Sequence, residues 1–261
     1  MKTSAARRVN SILRNAGQYR PKPSETALIA WGVIFGLLDP ANKDPKQLRE
    51  EDVTQLLSEL RNEIRQVQAI LQTNEEAVPL AAPIIKKALA VSSVTSVAQD
   101  WNALRDANLP TEILTGWAWA SLLLPAEDEK FSSEDLASLQ ALLDELERAV
   151  NESQVPEQLR GFTLRQVQSI RSAIVRHRVA GITPLREALD RGVGEMIRDQ
   201  EALRTAAEAT PEKSGAVLSR LADMWSTTAK YCGDLDKFQK AYVLMHTIYE
   251  KALPYLNKVS G

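Results

Sequence analysis

The sequence predicts an all-α protein, a multi-helix bundle of about ten amphipathic helices packed mostly up and down. Hydrophobic residues recur at alternating steps of three and four along most of the chain. The residue mix is rich in Ala, Leu, Glu, Gln and Arg and holds only 11 Gly, which suits long helices and leaves little for glycine-dependent phosphate loops. No run of alternating polar and apolar residues marks a strand. With 261 residues and 44% hydrophobic content, one large core or two smaller ones can form without metal or disulfide staples.

The first element is a short basic helix in which Val9, Ile12, Leu13 and Ala16 share a stripe while Arg7, Arg8 and Arg14 lie on other faces. Pro21 and Pro23 interrupt the chain directly after it, so residues 1–24 are expected to form a separable basic arm that docks on a partner. Residues 25–261 form the bundle domain, with a possible division at the acidic linker near 125–132. Ser24 stands as a cap for the uninterrupted apolar run Ala27–Leu38, which Asp39-Pro40 stops. Ile113–Leu124 is a second such run, ended by Pro125. At about 1.5 Å per residue, each spans roughly 18 Å against a hydrocarbon core of about 30 Å. Both therefore read as central buried helices, with Trp31, Trp117 and Trp119 as core fillers.

Between these runs, Val53, Leu57, Leu60, Ile64, Val67 and Leu71 form a coiled-coil-like seam after an Asp52 cap. A second stretch comes after Pro79 and Pro83, carries Ile84, Ile85, Ala88, Leu89, Val94, Ala98, Trp101 and Leu104, and ends near Asp106. Beyond the acidic linker, Ser132 and Asp135 make a capping-box pattern ahead of a second seam at Leu136, Leu139, Leu143, Leu146 and Val150. Further helix starts stand at Pro156, Pro184 and Pro211, the last two each preceded by a threonine cap. Gly181 and Gly233 stand as C-terminal caps, and a final helix from about Asp234 aligns Leu235, Phe238, Tyr242, Met245 and Tyr249.

Charge is placed unevenly. The net value is −2, yet residues 1–24 are purely basic, residues 127–152 are dominated by Asp and Glu, and residues 156–186 are again rich in Arg. Acidic and basic surfaces can thus meet within the molecule or between copies of it. No Walker loop, H-E-x-x-H, G-x-S-x-G or paired C-x-x-C is present, and two His with one Cys do not make a zinc site. No cofactor and no metal are expected. The lone Cys232 points to a reducing, cytoplasmic setting, and it is read as an inert thiol even if His246 approaches it.

Arg171-Ser-Ala-Ile-Val-Arg-His177 places an arginine and a histidine five residues apart inside a late helix. This resembles the R-x(4–6)-H motif of the HEPN superfamily, whose common form has Asn, Asp or His after the arginine where Ser172 stands here. The resemblance implies metal-independent RNA cleavage, with Arg171 stabilising phosphate charge and His177 handling the proton. The helix itself puts His177 beside Ile170, Ala173 and Ile174, where a core or interface histidine belongs. Arg165 and Arg176 project together from the same helix and are candidates for contact with a partner, with nucleic-acid phosphate as the lesser alternative.

The expected function is that of a non-catalytic helical interaction or assembly subunit. It would dock through leucine seams and opposed charge blocks, with Arg7, Arg8, Ile12, Leu13, Arg14, Arg165 and Arg176 facing a protein partner or a second copy. The competing readings are an HEPN-like ribonuclease and a membrane-acting effector. The latter draws on the basic amphipathic N-terminus, Trp31 and the Gly32-x-x-x-Gly36 spacing.

Overall fold

A computed structural model describes residues 2–41, 44–73, 75–124, 128–129 and 133–233. Among them stand eleven α-helices, so the protein is an all-α multi-helix bundle. The β pairings among the described residues are a two-residue antiparallel one of Lys2–Thr3 with Asp128–Glu129 and an isolated bridge between Thr26 and Asp100. The chain divides into two compact units: Met1–Lys130 with Arg178–Gly181, and Phe131–His177 with Ile182–Gly261.

In the first unit, helix α1 (Ala5–Gln18) starts at Ser4, whose hydroxyl accepts a hydrogen bond from the Arg7 amide at 3.3 Å. The structure places this helix inside the unit, not apart from it. Ala5, Ala6, Val9, Leu13 and Ala16 are all buried, because the stripe that looked too short to hold a free helix is long enough to fill a groove against other helices. Helix α2 (Ala27–Ile34) buries Trp31, which stacks on Phe35 and meets Trp101 edge-on. It is shorter than the apolar run that contains it. Gly36 takes a left-handed φ of 69°, which ends the helix before Asp39-Pro40 is reached, and the expected cap Ser24 lies outside it.

Helix α3 (Glu50–Leu71) carries the first seam, with Val53, Leu57, Leu60, Ile64 and Val67 fully buried. It begins two residues ahead of the expected cap, with Glu50, Glu51 and Asp52 in its first turn, where the helix dipole favours acids. The single stretch expected to run on from Pro79 to Asp106 is two helices, α4 (Val78–Val91) and α5 (Trp101–Asn108). The cause is the intervening Ser92, Ser93, Thr95 and Ser96. The Ser92 hydroxyl bonds back to the Ala88 carbonyl at 2.7 Å, a 3-10 turn occupies Val94–Ser96, and Asp100 caps α5 by accepting from the Ala103 amide at 2.9 Å. Helix α6 (Thr111–Leu123) completes the unit, packed antiparallel to both α1 and α4.

The second unit starts with α7 (Ser133–Glu152), whose seam residues Leu139, Leu143, Leu146 and Val150 are fully buried. Ser132 of the capping pattern lies outside the described residues. Helix α8 (Glu157–Ala180) comes next and hands its last turn to the first unit, where Gly181 ends it at φ 64°. Helices α9 (Thr183–Arg198), α10 (Gln200–Ala209) and α11 (Pro211–Cys232) close the unit around Trp225, Phe162, Leu185 and Leu221. Pro184 and Pro211 stand in first turns, but neither Thr183 nor Thr210 caps a backbone amide; Thr210 hydrogen-bonds the Ser214 hydroxyl instead, at 2.9 Å. The helix expected from Asp234, and His246 with it, lie outside the described residues. Cys232 is buried.

Candidate functional site

The residues that suggested chemistry sit in α8. Arg171 is held by two carboxylates of α7, its Nη2 2.6 Å from Asp144 Oδ1 and its Nη1 2.6 Å from Glu147 Oε2. Desolvation lowers the pKa of this guanidinium, but the hydrogen bonds and charges of Glu147 and Asp144 outweigh it and leave the pKa above the ordinary arginine value. His177 is half-buried near the far end of the helix. It stands six positions after Arg171, so the two point roughly 120° apart and about 9 Å from one another along the axis. A depression lined by Gln140, Asp144, Arg171, Ile174 and Val175 borders the arginine without including the histidine. The structure therefore gives Arg171 a neutralising role between α7 and α8, and it does not bring the Arg–His pair onto one face.

Arg165 is exposed and lies 3.9 Å from both Glu195 Oε2 and Asp199 Oδ2 of the α9 end. Arg176 pairs with Glu187 Oε2 at 3.3 Å. Arg220 of α11 approaches Glu145 Oε1 at 3.5 Å. The basic and acidic blocks of the second half thus meet one another inside the unit. Surface pairs of this kind contribute about 0–1 kcal/mol each, so they align helices more than they hold them.

The N-terminal candidates divide. Leu13 is fully buried, Ile12 is partly so, and Arg8 reaches into the unit to Glu63 of α3, with Nε and Nη2 at 2.9 and 2.6 Å from Oε2. The same guanidinium crosses Gly181, where a Cβ would stand 2.8 Å from Arg8 Nη1. Leu13 and Arg8 thus serve the packing of the unit, and Ile12 is half-buried beside them. Arg7 donates from Nε to the Ser121 carbonyl at 3.3 Å, and only Arg14 is fully on the surface.

Both leucine seams are internal as well, except at the half-buried Leu71 and Leu136, so most of the surface expected to dock is covered within its own unit. The face left open lies elsewhere. On α6, Trp117 is buried, but Trp119 is 62% exposed, Leu122 70% and Leu123 74%. The expectation that Trp119 fills the core fails because α1 and α4 flank the opposite side of α6. Gly17 of α1 meets Leu114, and Ile84 of α4 comes within 2.6 Å of where a Gly116 Cβ would be. Those contacts fix Trp119, two residues beyond Trp117 and about 200° round the helix, on the outside. On α4, Leu80 stands one turn before Ile84 on the edge toward α6 and is 77% exposed. Pro79 and Pro83 of α4 are exposed as well, whereas Val78 and Ala82 line a groove against Gln68, Leu71 and Gln72 of α3; no charged residue interrupts Val78–Ile85 or Ile113–Leu124.

Among the described residues no group of three or more His, Cys, Asp or Glu is placed to hold a metal ion, and no helix is long and apolar enough to cross a membrane. No protein-family model matches this chain, and neither a curated protein nor a solved structure is similar to it.

Proposed function

We propose that this protein is a non-catalytic helical interaction subunit, assembling through the open face that α6 and α4 form on its first unit. The observation that carries this reading is that Trp119, Leu122 and Leu123 of α6 and Leu80 of the adjoining α4 are each more than half exposed, in stretches of helix without charge. Taking about 150–250 Å² for a tryptophan and somewhat less for a leucine, the four leave on the order of 500 Å² of apolar surface in water. That is near the upper end of about 300–600 Å² for the largest patch on a typical monomer, and such patches mark sites of interaction.

Covering it would supply roughly 12 kcal/mol at about 25 cal/mol per Å². Association itself costs about 4–15 kcal/mol, so the patch alone only balances that cost. A stable complex needs a partner that brings an apolar face of comparable size.

The ribonuclease reading draws no support from α8, where Arg171 already has two carboxylate partners and His177 faces another way. The test of the interaction reading is a photo-crosslinking amino acid at position 122. A polypeptide adduct from the native host, lost when Trp119 is replaced by glutamate, is the expected result. A chain that yields no polypeptide adduct at this position is not acting through this face.

A further inference from the structure

We infer that the groove between α3 and α4 binds a medium-chain fatty acid, its alkyl chain on the apolar floor and its carboxylate between Arg65 and Lys86. The site is separate from the α6–α4 face, because Leu80 and Leu89 point about 180° apart on α4. The groove holds about 290 Å³. At roughly 30 Å³ for each methylene-sized group, that is room for about ten, the size of octanoate. Its floor is apolar: Ala81 and Ile85 are buried, and Leu71 and Leu89 are half-buried. Ala81, Ile85 and Leu89 follow one another a turn apart on α4, with Val78, Ala82 and Lys86 as the parallel row at the rim, so the groove runs along the helices as an extended chain would.

Charge sets what the chain must carry and which way it lies. Arg61 Nη1 donates to the Leu89 carbonyl, which fixes the register of the two antiparallel helices at that end. Arg65 follows one turn later on α3, and Lys86, which lines the groove, stands three residues before Leu89 on α4. Both are exposed, and they flank the groove at one level from opposite rims. Arg65 Nη1 reaches Asn62 Oδ1 at 3.5 Å, and among the described residues no carboxylate pairs with Arg61, Arg65 or Lys86. Glu59 and Glu63, each two residues from Arg61, lie about 160° round α3 from it. Burial first, and the charge of Arg65 second, lower the Arg61 pKa, with no acid to offset them. Three cations thus converge on one end of the groove. Glu75 and Glu76 precede Val78 at the other end and repel a carboxylate from it, so the alkyl tail points toward Gln72 and Val78.

The same features select a small amphiphile over a polypeptide. A standard protein interface covers about 800 Å² per partner. Half-buried Leu71 and Leu89 with exposed Val78 and Ala82 offer far less accessible apolar surface than that. A narrow apolar floor with a few convergent polar groups is what a small ligand uses, and a carboxylate held by charged donors supplies the specificity.

The test is isothermal titration calorimetry of the full chain with octanoate, octanol, octylammonium and acetate, under conditions that resolve a Kd of about 1 mM or tighter. Octanoate is expected to bind at one equivalent, octanol and acetate at least about tenfold more weakly, and octylammonium not measurably. Arg65→Gln with Lys86→Gln should weaken octanoate about tenfold and leave octanol unchanged, which a merely structural effect would not do. Ala82→Phe, filling the groove from its rim, should abolish octanoate binding. All three positions are exposed, so the unfolding temperature should not move. Absence of saturable octanoate binding overturns the inference, and so does octanol binding as tightly as octanoate, or octanoate binding that survives the paired Arg65 and Lys86 variant. Flotation with phosphatidylglycerol vesicles that needs Arg65 and Lys86, in a chain that does not take up octanoate, would assign these cations to a lipid surface and likewise overturn it.

Discussion

Replacing Glu63 by glutamine is the perturbation whose outcome the first unit determines most sharply. Glu63 is almost wholly buried on α3, and its Oε2 receives both Nε and Nη2 of Arg8 at 2.9 and 2.6 Å, with the arginine side chain only 10% exposed. Glutamine keeps the shape but removes the charge, leaving a guanidinium in an environment that excludes most water. Breaking a buried pair from one side costs about 3–5 kcal/mol, because the remaining charge keeps its desolvation penalty and loses its compensation. The same physics predicts that the pair adds little net stability. Arg8→Met combined with Glu63→Leu should lie within about 1 kcal/mol of wild type, or above it. Denaturant unfolding followed by tryptophan fluorescence reads this unit well, since Trp31, Trp101, Trp117 and Trp119 belong to it and only Trp225 to the other. If Glu63→Gln costs under about 1 kcal/mol, Arg8 is not held as a buried charge by this carboxylate and the reasoning fails.

Deleting residues 1–20 removes Val9, Leu13 and Ala16 from the core, so the unfolding temperature seen by circular dichroism should fall steeply or the first unit should not fold; an unchanged temperature would restore the detachable arm. In α9, a Cβ on Gly192 would meet the Gln166 amide oxygen and lie 2.9 Å from Trp225 Cζ2, whereas one on Gly194 would meet nothing. Gly192→Ala should therefore destabilise by about 1–3 kcal/mol and Gly194→Ala stabilise by about 0.5–1 kcal/mol, as chemical denaturation would show. Burial, and then the charge of Asp135, push the Tyr231 phenol above its usual value of 10.0. The folded chain thus holds this proton longer than the unfolded one. Its contribution to stability is complete below pH 10 and declines as pH rises from there through the raised value, a decline that Tyr231→Phe should lack when unfolding is compared across that range.

What the sequence disclosed best was whatever a one-dimensional period can encode. The seams of α3 and α7 are buried where the alternating steps of three and four put them, save Leu71 and Leu136 at their ends, which are half-buried, because helical spacing decides which side chains share a face. The break between α4 and α5 was written in the sequence too, as Ser92, Ser93, Thr95 and Ser96 ahead of an Asp100 cap, but the apolar spacing of Val94, Ala98 and Trp101 ran through it unbroken. The charge blocks were legible as blocks. Which acid meets Arg171 was not, since Asp144 and Glu147 depend on how α7 lies against α8. The same holds for Arg8, whose place in the first unit is set by Glu63 of α3, far along the chain.

Helix α6 was the hardest to read, and for a reason that bears on function. Its run from Ile113 to Leu124 contains no charge at all, so hydrophobic pattern alone cannot say which side faces inward. A helix buried on all sides and a helix with one covered and one open apolar side have the same composition. What separates them is where the small residues fall. Gly116 and Ala120 lie on the side that lets α4 come close, and Ile84 occupies the space a larger side chain would need. Trp119, Leu122 and Leu123 are on the side that no described helix of this unit covers, while Ile113, Leu114 and Trp117 fill the covered side. Burial within a single copy would favour polar residues on that outer side. Two apolar sides on one helix, one shaped for intramolecular approach and the other bulky and free of charge, are what a helix shared between a core and an interface requires.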